Sequence, residues 1–311
     1  MKAIRHKHVT KFNGLNIESS TNSFISYIAN ILNILLNKIG VKIVRYRSDI
    51  DHTSEFFSFH TNNQLNNYRA IRIKEALYPL TSMSEKFDNN SMIDLINEYF
   101  DLIKESPIKI DGGGVGVLNG LKLFISVKIL KPSTIIESGV WRGFTTFIFD
   151  HASSKDTNIF SYDINLDPLL YKGSNKVRFI EDDWFEKTKK IKFQADSTLC
   201  FFDDHVSHVQ RITEANQLGI KHVIVDDNYP LEQIYVDGWP PIPTVDMCFN
   251  NAFRELQSLS WVKNGINYYG NWAAGDLEEC RKLVKNKIDY PSLYDECGYQ
   301  PGSKMSYIEL K

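Results

Sequence analysis

From residue 111 onward, short apolar runs alternate with stretches of helical period, the pattern of repeated βαβ units. Five runs stand out: 133–137 (STIIE), 159–163 (IFSYD), 177–181 (VRFIE), 199–203 (LCFFD) and 222–226 (HVIVD). Each is rich in β-branched or aromatic side chains and closes on an acidic residue. Apolar strands this short suit a parallel sheet covered on both faces. The stretches 143–154 and 206–218 read as helices between strands, and 118–129 as a helix ahead of the first strand. The alternating end, 304–311 (KMSYIELK), reads as a final strand. Acids at the C-terminal ends of parallel strands lie on the rim where open α/β sheets bind ligands. Solubility alone does not explain five in succession.

The chain before residue 111 follows a different pattern. Residues 1–20 are polar and basic, with no apolar segment behind them to make a secretory signal. Residues 22–40 read as an amphipathic helix in which Ser26, Asn30, Asn33 and Asn37 make one stripe. Phe24, Ile25, Ile28, Ile31, Leu32, Leu35 and Leu36 lie opposite. That polar stripe suits a helix docked on protein, or a peripheral helix on a membrane surface, better than a membrane span. Lys38, Lys42, Arg45 and Arg47 would suit an anionic bilayer or a helix C-terminus equally. Residues 48–110 are polar and Asn-rich, with helical pieces at 68–77 and 91–105. The predicted organisation is a mostly helical extension over 1–110, shaping an acceptor pocket or a membrane-surface region, and an α/β domain over 111–311.

Composition narrows the function. A chain of 311 residues with 42% hydrophobic content is neither a disordered tail nor a disulfide-stapled miniprotein. With 36 basic and 38 acidic residues the net charge is −2, which argues against bulk electrostatic binding of nucleic acid. The four cysteines form no CxxC pair and read as reduced thiols of a cytoplasmic protein.

The first strand runs into Glu137-Ser138-Gly139-Val140-Trp141-Arg142-Gly143, and Phe144-Thr145-Thr146 opens a helix. This E-x-G-x-x-x-G lets a ligand approach the backbone beside a helix N-terminus. It differs in spacing from the dinucleotide fingerprint, and no P-loop lysine follows. Asp163, 20 residues after Gly143, stands where an acid accepts hydrogen bonds from a ribose diol. Asp183 beside Trp184 pairs an acceptor for an adenine amino group with a ring to stack on it, although Trp184 reads equally as core.

Glu137 to Thr145, then Asp163, Asp183, Asp203 and Asp226-Asp227, resembles a class I S-adenosylmethionine-dependent methyltransferase over residues 115–230. That resemblance implies a Rossmann-like sheet of seven strands in the order 3-2-1-4-5-7-6. It implies Glu137, Gly139 and Gly143 around the methionine part of the cofactor, Asp163 on its ribose and Asp183 near its adenine.

Asp203-Asp204-His205 and Asp226-Asp227 end adjacent strands, so their carboxylates are expected about 5 Å apart. Acids that close repel unless protons or a cation neutralise them. Oxygen ligands of this kind suit Mg²⁺, with Asp203, Asp226 and Asp227 as ligands. His205 is the candidate general base, with Asp204 beside it. The pattern is similar to the macrocin O-methyltransferase and cephalosporin-hydroxylase-like branch, which methylates sugar hydroxyls with Mg²⁺. There the fourth strand ends D-x-D-H or D-x-x-H. Here it reads F-D-D-H, so aligning His205 puts Phe202 at a ligand position. His208 is a further candidate for the same cleft, and the rigid stretch 239–243 (WPPIP) for a lid or acceptor wall. The glycine run 112–116 reads as a hinge.

The expectation is a cytoplasmic O-methyltransferase acting on a sugar or polysaccharide-precursor hydroxyl. Its rivals are a metal-dependent nucleotide-sugar glycosyltransferase and a degenerate methyltransferase-fold binding module. The oligomeric state is left open.

Overall fold

The computed structural model describes residues 63–108, 114–233, 241–251, 253–263, 266–297 and 302–311. Contacts divide the chain into residues 1–50 and 51–311, and every described residue belongs to the second unit. The amphipathic stretch 22–40 and residues 239 and 240 lie outside the described residues.

Four helices lead to and follow the first strand: α1 (Asn63–Leu77), α2 (Met92–Lys104), α3 (Gly116–Leu130) and α4 (Phe144–Ala152). The central strands are β1 (Thr134–Ser138), β2 (Asn158–Asp163), β3 (Val177–Glu181), β4 (Thr198–Phe202) and β5 (His222–Val225). Short helices α5 (Trp184–Thr188) and α7 (Val245–Phe249) flank α6 (His208–Gln217). A hairpin of β6 (Ser258–Lys263) and β7 (Ile266–Asn271) stands as a separate sheet. Then come α8 (Ala274–Leu283), β8 (Val284–Asp289), α9 (Tyr294–Cys297) and β9 (Ser306–Leu310).

The main sheet has the order β3-β2-β1-β4-β5-β9-β8. Strands β1 to β5 are parallel, and β9 runs antiparallel between β5 and β8. With the hairpin set aside, this is the seven-strand order that the resemblance implied. Each predicted strand of the first five falls within one residue of its observed bounds at the start.

Why the apolar runs lack alternation is visible in their packing. Ile135, Leu199, Phe201, Ile224 and Tyr307 enter one core, and their neighbours Ile136, Cys200, Phe202, Val225 and Ile308 enter the other. Successive side chains point to opposite faces, and both faces are covered. The first core is roofed by α1 to α4. Ala70, Ile73 and Leu77 of α1 and Met92, Ile96, Tyr99 and Ile103 of α2 share it with α3 and the sheet. The composition change near residue 110 therefore does not coincide with a break in packing: the helices of 63–108 are part of the sheet's own core. Tyr99 Oη reinforces this by donating to the Val117 carbonyl at 2.5 Å. Among the described residues, no helix is long and apolar enough to cross a membrane.

Candidate functional site

The order of the strands reverses direction between β1 and β4, the position at which open α/β sheets form a crevice. A cleft of about 780 Å³ opens there, within the size range of small-molecule sites. The loop from β1 to α4 makes one wall, with Ser138, Gly139, Val140, Trp141, Arg142, Phe144 and Thr145 all lining it.

Two glycines of that loop are required by its geometry. Gly139 has φ +93°, and a Cβ there would overlap the Asp203 carbonyl. The loop is tied on both sides, since Gly139 N–H donates to Tyr162 O (2.9 Å) and Asp203 N–H donates to Ser138 O (2.8 Å). Gly143 has φ +86°, and its missing Cβ leaves room for Leu169 and Tyr171 of the β2–β3 connection. Asp163 Oδ2 accepts from Val140 N–H (2.8 Å) and Trp141 N–H (3.0 Å), and Oδ1 from Asn165 N–H (3.0 Å). Its carboxylate thus fixes the loop to the end of β2; Oδ2 is filled by its two N–H donors, and Oδ1 keeps one further lone pair at the cleft that Asp163 lines.

Glu137 lies fully buried beneath the loop. Its Oε2 accepts from Thr146 Oγ1 and Ser161 Oγ, both at 2.6 Å, while Oε1 has no hydrogen-bond partner. Burial pushes its carboxyl up to about 7, although the Ser161 and Thr146 hydroxyls oppose the shift. Glu137 is not among the residues that line the cleft, so this orphaned acceptor lies beneath the loop and not in the cleft wall.

Beside this loop gather the acids that follow β4 and β5. Asp203, His205 and Asp227 each present a ligand atom, all within 4.8 Å of one another. Burial, then repulsion by Asp226, Asp227 and Asp204, drives the Asp203 carboxyl well above the usual carboxylate range. His205 and Asp227 both have left-handed backbone (φ 57° and 51°), conformations costly for side-chain-bearing residues. His205 Nδ1 stands 3.3 Å from Asp227 Oδ2, and that hydrogen bond pushes the imidazole pKa up against the effect of burial. Asp226 is held differently. Ser303 Oγ donates to it, Asn119 Nδ2 donates to Ser303 Oγ (2.8 Å), and buried Lys122 donates to Asn119 Oδ1 (2.7 Å). Burial and the Asp227 charge raise Asp226 to about 8. The predicted trio of Asp203, Asp226 and Asp227 is therefore not the group that converges: His205 stands where Asp226 was expected. Phe202 is fully buried in the second core, which leaves Asp203 as the strand-end oxygen donor.

Sequence reasoning missed a buried cation that lines this cleft. Arg211 of α6 is buried, with 2% side-chain exposure, and lines the cleft. Its Nε donates to Asp204 Oδ2 (2.9 Å), Nη2 to Asp183 Oδ2 (2.7 Å) and Nη1 to Glu214 Oε2 (2.7 Å). Asp204 Oδ2 also accepts from Ser138 Oγ at 2.5 Å. Asp204, the expected catalytic neighbour of His205, is thus engaged in an ion pair and with a hydroxyl. Asp183 lines the cleft, but it caps α5 through Phe185 N–H (3.1 Å) and holds Arg211.

Trp184 is a correction to the sequence reading. It is fully buried in the second core, 5.1 Å from the Phe202 ring, and its Nε1 donates to Glu214 Oε2 (3.2 Å). As the first residue of α5 it packs under the sheet rather than over the cleft, so no ring face is offered to an adenine. His208 is neither solvated nor poised for chemistry. It is buried, which lowers its pKa to about 3, and its Nδ1 accepts from Val245 N–H at 3.4 Å. Of the 239–243 stretch, Pro241 is buried and its carbonyl accepts from His208 N–H (3.3 Å). Of the glycine run 112–116, residues 112 and 113 lie outside the described residues; Gly114, which lines the cleft, and Gly116, which opens α3, both have φ +71°.

No family model matches the chain, and no curated protein matches it. Among solved structures, the chain is similar to the O-methyltransferase TomG of Streptomyces achromogenes, in complex with S-adenosylmethionine. The identity is 12%, the TM-score 0.41, and 76% of this chain and 96% of that one are covered. It is similar to the methyltransferase PaMTH1 of Podospora anserina bound to S-adenosylhomocysteine, at 13% identity and TM-score 0.41, covering 87% and 99%. An O-methyltransferase of Bacillus cereus with S-adenosylhomocysteine gives 10%, 0.38, 70% and 90%. Overlap of that degree leaves the chemistry to be argued from this chain's own residues.

Proposed function

We propose that the chain is an S-adenosylmethionine-dependent O-methyltransferase whose acceptor is a hydroxyl of a sugar or polysaccharide precursor, assisted by a divalent cation. One observation carries the reading: a single cleft is lined both by a glycine loop with its helix N-terminus and by Asp203, His205 and Asp227. Gly139 and Thr145, which line the cleft, would border the methionine portion, and Asp163 the ribose, with Gly143 turning the loop behind them and Glu137 bracing it from beneath. The bound nucleoside supplies an electrophilic methyl group on a sulfonium. The acidic walls, with Asp163, Asp182 and Asp183 near the glycine loop, favour a cationic ligand.

Asp203 and Asp227 offer hard oxygen donors suited to Mg²⁺, and their mutual repulsion would be relieved by it. His205 is positioned by Asp227 to take the proton of the acceptor hydroxyl. With the charge of Asp227 shared with a cation, His205 would hold its own proton less tightly, as a base near neutral pH requires. Alignment and electrostatics do the rest, because in-line transfer needs the oxygen held against the methyl in a water-poor site. A cytoplasmic setting, with its reducing conditions, agrees with four buried free cysteines.

The test is mass spectrometry of a host glycan extract incubated with isotopically labelled methyl donor and the full chain. The expected result is a labelled methyl on a saccharide, lost with EDTA and restored by Mg²⁺. A shift untouched by EDTA removes the cation from the reading. No label in any saccharide removes the saccharide acceptor.

A further inference from the structure

We propose that Arg211 is a positioning residue for the nucleoside end of the cleft, acting through Asp183 and Asp204. The inference rests on the methyl-donor reading above and extends it to a residue on a helix outside the glycine loop.

A guanidinium carries five donors in a fixed plane and matches several carboxylate oxygens at once. That of Arg211 meets carboxylates of three elements. Asp183 caps α5 just past β3, Asp204 follows β4, and Glu214 lies one turn further along α6. Through Asp204 Oδ2 it also reaches Ser138 at the end of β1. Through Glu214 Oε2 it reaches the Trp184 indole. One side chain therefore joins the C-terminal ends of β1, β3 and β4, although β2 separates β1 from β3 in the sheet.

The location of the tied groups separates positioning from general stability. Ser138, Asp183, Asp204 and Arg211 all line the cleft, as do Gly139 and Asp163. Asp203, His205 and Asp227 form their own group, and Arg211 donates to none of them. Three carboxylates around a buried point would repel each other without the cation. The Asp183 wall would then move outward toward water, away from the space a nucleoside occupies. Lysine at this position keeps the charge but not the fork, so it cannot hold both Asp183 and Asp204 in one plane.

The experiment compares full-length wild type, R211K, R211M, D183N and the double variant R211M/D183N by titration calorimetry with S-adenosylhomocysteine. Melting temperatures and Mg²⁺ titrations are measured alongside. R211K is expected to weaken nucleoside binding about tenfold, the size of one charged hydrogen bond, and R211M more. Mg²⁺ affinity should change less than twofold. Adding D183N to R211M should cost less than twofold further, because the two act through one contact. In turnover, the loss should fall on KM for the donor more than on kcat. Wild-type nucleoside affinity in R211K overturns the proposal, as do fully additive losses in R211M and D183N. A proportional loss of Mg²⁺ binding also overturns it, since it marks a structural role only. Should R211M fail to fold, R211K and D183N against wild type decide the question. If wild type itself does not bind the nucleoside, the methyl-donor reading fails as well. If wild type binds and R211K is unchanged, only this inference fails.

Discussion

Gly139 faces the backbone of the residue after β4 with no room for a methyl group, and its φ of +93° is closed to L side chains. Gly139→Ala is expected to cost about 2 kcal/mol or more, since it combines overpacking with a strained backbone. A denaturant midpoint measures it, and a midpoint equal to wild type would refute the fit drawn here. His208 makes a prediction of a different kind. Its folded pKa of about 3 lies below the unfolded value near 6.5, so the unfolded chain takes up a proton that the folded chain refuses. That contribution to stability is complete above pH 6.5 and is lost as pH falls toward 3, about 2 kcal/mol of it by pH 5. His208→Gln should flatten the acid limb of a melting-temperature profile between pH 7 and 5; an acid limb as steep as that of wild type would contradict the assignment. At this scale the sequence displayed the acids plainly, because each ends an apolar run. It hid Arg211: only Glu214, three positions on, stands at a helical spacing, while the cleft partners Asp183 and Asp204 stand 28 and 7 positions before it, where no local pattern links them. The Trp184 ring was ambiguous for a physical reason. An aromatic after a strand end can roof a cleft or fill the layer beneath it, and only the direction of α5 decides.

Among the elements, the β1–α4 loop depends on its neighbour, the β2–β3 connection. That connection is pinned by Asp150 of α4, which accepts from Tyr171 Oη (2.6 Å), Ser174 N–H (2.8 Å) and Ser174 Oγ (2.7 Å). Leu170 and Tyr171 in turn donate their N–H groups to the Arg142 carbonyl, at 3.1 and 3.3 Å. Burial alone would raise the Asp150 pKa, but the Tyr171 and Ser174 hydrogen bonds and Lys176 hold it below the usual value. Its contribution is present above the unfolded pKa of about 3.9 and is lost as pH falls through the lower folded value. Asp150→Asn removes charge-assisted hydrogen bonds and is expected to cost about 2 kcal/mol. Amide exchange should then quicken over residues 164–176 more than in β1 or β4. Uniform exchange across the molecule would deny this link between the two loops. The central strands were legible because both their faces are apolar. The hairpin β6–β7 and strand β8 were not, since β8 (VKNKID) is a polar-alternating edge and the hairpin stands off the main sheet. In both cases tertiary pairing, rather than local pattern, makes the strand.

For the whole molecule, the described residues make a sheet with a core on each face and one cleft at its strand-order reversal. The predicted boundary at residue 110 followed composition, yet α1 and α2 complete the first core, because the face of α3 away from the sheet is itself apolar and needs cover. On the proposed function, the cleft combines two chemistries: a backbone-lined loop that would hold a nucleoside, and an acid–imidazole group that would handle a hydroxyl. The claim most exposed to test is the first. Titration calorimetry of the full chain with S-adenosylhomocysteine is predicted to give one site per chain with Kd in the micromolar range, about −8 kcal/mol. Absence of heat, together with an unchanged melting temperature at millimolar nucleoside, would contradict the account.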